Sequence, residues 1–407
     1  MYITALDIGS SQIKVLIAET DKDAKVSLAS AFKTPSIGLR KGEIVTFEEA
    51  LQVLRLAFKE IRQVNKAALK NIFVNIGGSN IKLQNSRGIV AVGRADNEIY
   101  SEDVDRAIKA SQAINLGPNR LIVHTITKEF IVDGINDIID PLGMVGNRLE
   151  VNSLIIDAFK PTVNNLIRAV EAGGGKIGGL IYNPLASARS VLTKNQKELG
   201  VVVIDIGFGT TSMAVYEEDK LVSAVVFPIG SSNITNDLAI GLRCPIKTAE
   251  AIKISCGAAR AKEISTREKI ELHQLDETLS SVVNRRFISE IIEIRLAEIF
   301  DLVNNELKAL GKSGQLPAGA VITGGGAKMN GILELAKQEL KLSVQIGVPG
   351  LLETESISDE LRNQIGEPDF SASTGLLLMG FEQAAKETGW LPTKKGWFGK
   401  ILGHFLP

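Results

Sequence analysis

Val202-Val203-Ile204-Asp205-Ile206-Gly207-Phe208-Gly209-Thr210-Thr211 stands in mid-chain, and Ile3-Thr4-Ala5-Leu6-Asp7-Ile8-Gly9-Ser10-Ser11 stands near the start. The first runs on into Met213-Ala214-Val215-Tyr216-Glu217, the second into Ile13-Lys14-Val15-Leu16-Ile17-Ala18-Glu19. Each reads as an apolar strand, an Asp-x-Gly turn and a second apolar strand. The copies lie about half of the 407 residues apart. That is too far for a solenoid repeat and right for a duplicated domain. The hairpins also have a chemistry. A polyphosphate needs close backbone approach and donors, which small turn residues supply. It needs magnesium, which favours carboxylates through its water shell. Neither copy is a Walker loop, since no Gly-Lys-Ser/Thr follows, and neither is a Rossmann turn, since a strand comes next rather than a helix. One such hairpin alone reads as readily as an ordinary tight turn. Two matched copies point to a pair of phosphate clamps.

The remaining pattern is mixed α/β. Phe47–Val64 has helical spacing, with Ala50, Leu51, Leu54, Ala57, Phe58 and Ile61 on one face. A strand at 71–76 ends in Gly77-Gly78, and 162–171 is a helix stopped by Gly173-Gly174-Gly175. Between them the block 83–159 alternates strands (87–92, 121–132, 149–158) around one helix, 101–114, opened by Ser101 as its cap. Residues 248–264 and 287–310 read as helices. A strand at 318–323 enters Gly324-Gly325-Gly326, and a helix follows at 330–340. Strand, glycine bend and helix let a flat base or sugar approach the backbone, although a structural turn is the commoner use of such a stretch.

With 46 basic and 47 acidic residues the net charge is -1, which gives no global case for nucleic acid binding. Two cysteines, Cys244 and Cys256, fit a reducing compartment and leave no disulfide framework. Three histidines and two spaced cysteines argue against a structural zinc site. No basic n-region precedes the first strand and no stretch reaches ~20 apolar residues, so any membrane contact is expected to be peripheral.

The three elements in this order resemble the actin, Hsp70 and sugar-kinase ATPase superfamily, with its two phosphate motifs and its adenosine motif. Within it the chain resembles the FtsA family, the bacterial cell-division actin homologues. The resemblance rests on 227–242 (Phe-Pro-Ile-Gly-Ser-Ser-Asn-Ile-Thr-Asn-Asp-Leu-Ala-Ile-Gly-Leu), on Ala249-Glu250-Ala251-Ile252-Lys253, on Asn183-Pro184-Leu185-Ala186-Ser187-Ala188, on the block 83–159 and on the C-terminal segment. It implies a duplicated actin-like, ribonuclease H-like fold with a nucleotide cleft between the halves. It also implies an inserted small α+β subdomain and a C-terminal amphipathic helix. The boundaries follow: subdomain 1A at 1–83, completed by 162–198 and about 360–388; the insert 1C at 84–161; 2A at 199–242 and 304–359; 2B at 243–303; linker and terminal helix at 389–407.

The resemblance further implies roles. Asp7 and Asp205 flank magnesium and the attacking water, and Gly9, Ser10, Ser11 and Lys14 contact the β/γ-phosphates of ATP. Gly207, Gly209, Thr210 and Thr211 form the second phosphate loop. Glu250 and Lys253 reach the ribose and base, and Gly324, Gly325 and Gly326 pass beside the adenosine. For Glu250 and Lys253 the residues alone read as a surface ion pair. Phe208 departs from the family pattern, which has glycine there. Asn183 aligns with the glutamine that positions water in actin and is shorter. ATP binding with slow or no turnover is therefore expected. Implied partners are the C-terminal tail of the tubulin-like FtsZ, with Arg285, Arg286 and Arg295 offered to its acidic groups, further copies of the chain in a filament, and later division proteins.

In the terminal segment 394–407, Trp397, Phe398, Ile401, Leu402, Phe405 and Leu406 share half of a helical wheel, and Gly399, Lys400, Gly403 and His404 share the other. Lys394 and Lys395 stand upstream. Such a helix suits the headgroup region of an anionic membrane, and the resemblance implies that this is the cytoplasmic face at the division site. A helix docked on its own domain is the competing reading. Two other functions remain on the list: a pilus-assembly ATPase of the same superfold, and a sugar-kinase-type phosphotransferase. The second needs a general base and a sugar pocket that no residue supplies.

Overall fold

The computed structural model describes residues 1–20, 26–274, 282–350 and 359–388. The terminal segment with Trp397, Phe398, Ile401, Leu402, Phe405 and Leu406, and the linker before it, lie outside these residues.

Two five-stranded sheets follow one plan. In the first, Tyr2–Ile8 is central. It pairs antiparallel with Gln12–Thr20, which pairs with Val26–Pro35, and it pairs parallel with Ile72–Ile76, which pairs with Ile177–Tyr182. In the second, Val201–Ile206 takes the centre, Thr211–Glu217 and Lys220–Phe227 the antiparallel side, Ala320–Thr323 and Val344–Ile346 the parallel side. The register repeats as well: Asp7 faces Lys14 and Asp205 faces Ser212, each one pair before its hairpin closes. The central strand of the second sheet is nearly all Val and Ile because both of its faces are covered. All six residues of Val201–Ile206 are buried.

Helix Phe47–Val64 buries the apolar face its spacing predicts and packs beside Lys160–Gly173. Helix Asn183–Val191 opens with Pro184 in its first turn, where a missing N–H costs nothing. It touches strands of both sheets and is crossed by helix Ser371–Thr388. Helix Arg285–Ala309 sends Ile288, Ile292, Leu296, Ile299, Phe300, Val303 and Leu307 into the core of the second half.

The block after Gly78 folds as a four-stranded antiparallel sheet in the order Ile81–Ala91, Arg148–Phe159, Arg120–Val132, Ile135–Ile138. Helix Ser101–Ser111 covers one face. On the other face Leu154 and Ile156 join a core with Tyr182, Val203 and Ala214, so the block packs on both halves. Several bounds differ from the sequence reading, among them the strand expected at 87–92, which runs Ile81–Ala91, and the helix expected over 101–114, which ends at Ser111. Ser101 is the first helical residue rather than the cap: the Asp103 carboxylate accepts from the Tyr100 N–H at 3.0 Å and closes the end instead. The helix expected over 248–264 runs only Ile246–Cys256: the backbone turns extended at Gly257 (φ -67°), where a Cβ would run into the Lys253 carbonyl, and continues into a short 3-10 segment, Ala261–Glu263.

Candidate functional site

The two Asp-x-Gly hairpins face one another across a cleft of about 440 Å³. Of the residues that sequence reasoning assigns to nucleotide and magnesium, all but Thr211 border it. Thr211 is instead the first residue of a strand, fully buried, with no hydrogen-bond partner for its hydroxyl. Arg285, Arg286 and Arg295 do not border the cleft. Each pairs with carboxylates of its own half: Arg285 with Glu268, Arg286 with Glu290, and Arg295 with Asp237 and Glu298.

The hairpin tips touch. A Cβ on Gly209 would stand 2.7 Å from Ser10 Oγ and 3.1 Å from the Lys41 nitrogen, so only glycine lets the second loop come this near the first. Gly324 has φ +82°, and a side chain there would press on the Ile206 carbonyl at 2.7 Å and on the Asp205 carboxylate. The glycine bend is thus fitted against the second aspartate.

Both aspartates are buried at 6–8 % exposure and held by neighbours that the sequence reading did not single out. Asn75 donates from Nδ2 to Asp7 Oδ1 (2.8 Å) and to Asn183 Oδ1 (3.3 Å), while its own Oδ1 accepts from the Ile8 N–H at 2.6 Å. Ser187 Oγ donates to Asp205 Oδ2 at 2.5 Å. Helix Asn183–Val191 therefore reaches one aspartate through Asn183 and Asn75 and the other through Ser187, one turn further on. Ser187 lies inside the quoted stretch 183–188, which was the available signal. Asn75 had only its place at a strand end before Gly77.

Burial pushes Asp7 up to about 6; Lys14, 3.8 Å away, pulls it down, while Asp205 and Asp369 push it up. Burial raises Asp205 too, against the Ser187 hydrogen bond and Lys14. Two buried carboxylates driven toward protonation form a place where a cation would be stabilising. Among the described residues no group of three His, Cys, Asp or Glu could cage a metal. The pair suits magnesium, which takes one or two carboxylates and keeps its waters or phosphate oxygens for the remaining positions.

Further along the cleft Lys253 Nζ donates to Glu250 (2.7 Å), to Thr235 Oγ1 (2.9 Å) and to the Ser231 carbonyl (3.3 Å), and Thr235 in turn bonds Glu250. Lys253 is 6 % exposed and Glu250 31 %, so the pair is a buried ammonium on a half-buried carboxylate rather than a fully solvated ion pair. Burial lowers the Lys253 pKa and Glu250 opposes that. The Phe208 ring lies 5.5 Å from Lys253 Nζ and narrows the cleft on this side. Among the described residues no helix is long and apolar enough to cross a membrane.

Comparison with known proteins matches residues 202–375 to the family model "Cell division protein FtsA" and residues 78–157 to "SHS2 domain inserted in FTSA". Relatives named "Cell division protein FtsA" include that of Pseudomonas aeruginosa, 35% identical over 94% of this chain and 89% of its own. That of Bacillus subtilis is 36% identical over 94% and 83%, and that of Escherichia coli 30% over 93% and 90%. Among solved structures, the PilM-PilN type IV pilus biogenesis complex superposes with a TM-score of 0.65 at 17% identity, covering 93% of this chain and 98% of that one. An MreB of Spiroplasma citri bound to AMPPNP gives 0.57 at 14%, covering 96% and 99%. The structural likenesses carry the fold alone, and the fold is actin-like.

Proposed function

Since the chain belongs to the FtsA family of cell-division proteins, with the family's SHS2 insert in an actin-like fold, we propose that it binds Mg-ATP between Asp7 and Asp205, polymerises, and ties the FtsZ ring to the membrane while recruiting later division proteins. The observation that carries the nucleotide half is the facing pair of hairpins with buried, cation-seeking aspartates. Lys14, Ser10 and Ser11 receive the phosphates from the first half, Gly207, Gly209 and Thr210 from the second. Magnesium, when bound, neutralises phosphate charge between the halves. Glu250 and Lys253 orient the ribose and base, and Gly324–Gly326 leave room for the adenosine. Turnover is slow in this reading: Asn183 is short, and its side-chain oxygen already accepts from Asn75.

The membrane half rests on Trp397, Phe398, Ile401, Leu402, Phe405 and Leu406, and the partner half on the region of Arg285, Arg286 and Arg295 for the FtsZ tail. Co-pelleting with anionic vesicles in the presence of ATP tests the adaptor reading. The full chain should pellet and carry an FtsZ-tail peptide down with it. A chain ended after Pro392 should still bind ATP and the peptide but remain in the supernatant. Pelleting of the shortened chain would overturn the tether.

A further inference from the structure

Asp369 is 355 residues from Lys14 in sequence and sits against it in the cleft. Its carbonyl accepts from Lys14 Nζ at 2.5 Å, and its carboxylate takes Lys33 Nζ on Oδ2 at 2.6 Å and Lys328 Nζ on Oδ1 at 2.7 Å. Lys14 and Lys33 come from neighbouring strands of the first sheet, while Lys328 follows the glycine bend of the second half. The turn that carries Asp369 is fixed independently: the Pro368 carbonyl accepts from the Gly324 N–H at 3.1 Å and from Thr323 Oγ1 at 3.0 Å. So three ammonium groups from both halves meet on one residue of a built turn, and its carboxylate is 11 % exposed. Burial alone would raise Asp369, but Lys328, Lys33 and Lys14 override it and hold it at about 2.

We propose that Lys14 and Lys328, which border the cleft, form a polyphosphate cradle, and that the Asp369 carboxylate, anchored from behind by Lys33, is its internal occupant, which the phosphate of a nucleotide displaces. Such a carboxylate offers the same chemistry as a phosphate oxygen to a cluster of lysines. It compensates their charge while the cleft holds no anion and ties the halves together through Lys328. A nucleotide must then compete for Lys328 with Asp369 and with Glu367, whose Oε2 lies 3.0 Å from the same ammonium, and must draw Lys14 off the Asp369 carbonyl. The resting side-chain contacts thereby set the affinity for the charged end of the ligand, while the Pro368 carbonyl that braces Gly324 at the adenosine end stays in place. The proposal rests on the nucleotide reading of the same cleft.

Isothermal titration of the full chain with Mg-ATP and with adenosine tests it. Asp369→Asn keeps the shape of the turn and removes the competing charge, so Mg-ATP should bind at least threefold more tightly while adenosine is unchanged. Lys328→Gln, at a side chain 42 % exposed and away from the core, should weaken Mg-ATP at least threefold, again without effect on adenosine. Unchanged or weaker Mg-ATP binding by Asp369→Asn would overturn the occupant. Unchanged or tighter Mg-ATP binding by Lys328→Gln would overturn the cradle. A wild type that binds neither ligand would remove the nucleotide reading itself, and that outcome is distinct from either variant result.

Discussion

Asp7 and His124 pull acid stability in opposite directions, each because it is buried. Asp7 is raised to about 6 in the folded chain. Folding therefore favours its protonated form: the contribution is full below pH ~4, and it is lost as pH rises through 6. At neutral pH the ionised group costs up to about 3 kcal/mol. Asp7→Asn keeps an acceptor for Asn75 and removes the charge. It should be more stable than wild type at pH 7 in urea unfolding, and the gap should close toward pH 4.5. An equal gap at both pH values would refute a raised Asp7. His124 is the opposite case. Its Nε2 accepts from the Tyr182 N–H at 3.0 Å, joining the insert to the residue before Asn183, and burial lowers its pKa to about 4. Its contribution is present above ~6.5 and lost as pH falls toward 4. His124→Gln should flatten the acid limb of the wild-type stability profile, and an unaltered limb would show that His124 does not titrate with unfolding.

At the scale of elements, helix Asn183–Val191 is the shared support of both aspartates, and its clearest test is Ser187→Ala. That change leaves Asp205 Oδ2 buried without its donor, which should cost about 1–3 kcal/mol in urea unfolding. A cost below 0.5 kcal/mol would mean that the hydroxyl does not hold the carboxylate. Gly324→Ala should be worse for the cleft than for the core, because it forces a left-handed residue against Asp205. The hairpins, the glycine bend and the first helix were legible because each is a local pattern: alternation, a turn signature, a helical stripe. Asn75, Lys33, Lys328 and Asp369 were not, because what makes them part of the site is contact across the fold; Ser187 stood in the quoted stretch 183–188, but its partner Asp205 did not. Asp369 meets Lys14 and Lys33 only after the chain has returned from the second half. The end of the helix at Cys256 has one local sign in the sequence, Gly257. Glu250 and Lys253 looked like a solvated pair because the burial that changes their character comes from Thr235 and Phe208, which are remote in sequence.

For the whole molecule, the duplicated sheets place two equivalent turns face to face, and the inserted block packs on both halves. Any closing of the cleft must rework that second interface. Affinity for a membrane, in contrast, is assigned to a segment outside the described residues. On the proposed tether its six apolar side chains, each worth roughly 1.5–3 kcal/mol when fully buried, would be only partly buried in an interface and would have to offset the cost of ordering the segment. Lys394, Lys395 and Lys400 add ~1 kcal/mol each near anionic lipid. Trp397→Glu should therefore nearly abolish vesicle pelleting, and salt should weaken the wild type only in part, since the apolar contribution is not screened. Complete release at moderate salt would show that the attachment is electrostatic alone. The central claim is that Asp7 and Asp205 hold a magnesium nucleotide between the two halves. Its most direct test is a titration of Mg-ATP into the wild type and into Asp205→Ala. Binding by the wild type that weakens at least tenfold, ~1.4 kcal/mol, in the variant is the predicted result; equal affinity in the two would contradict it.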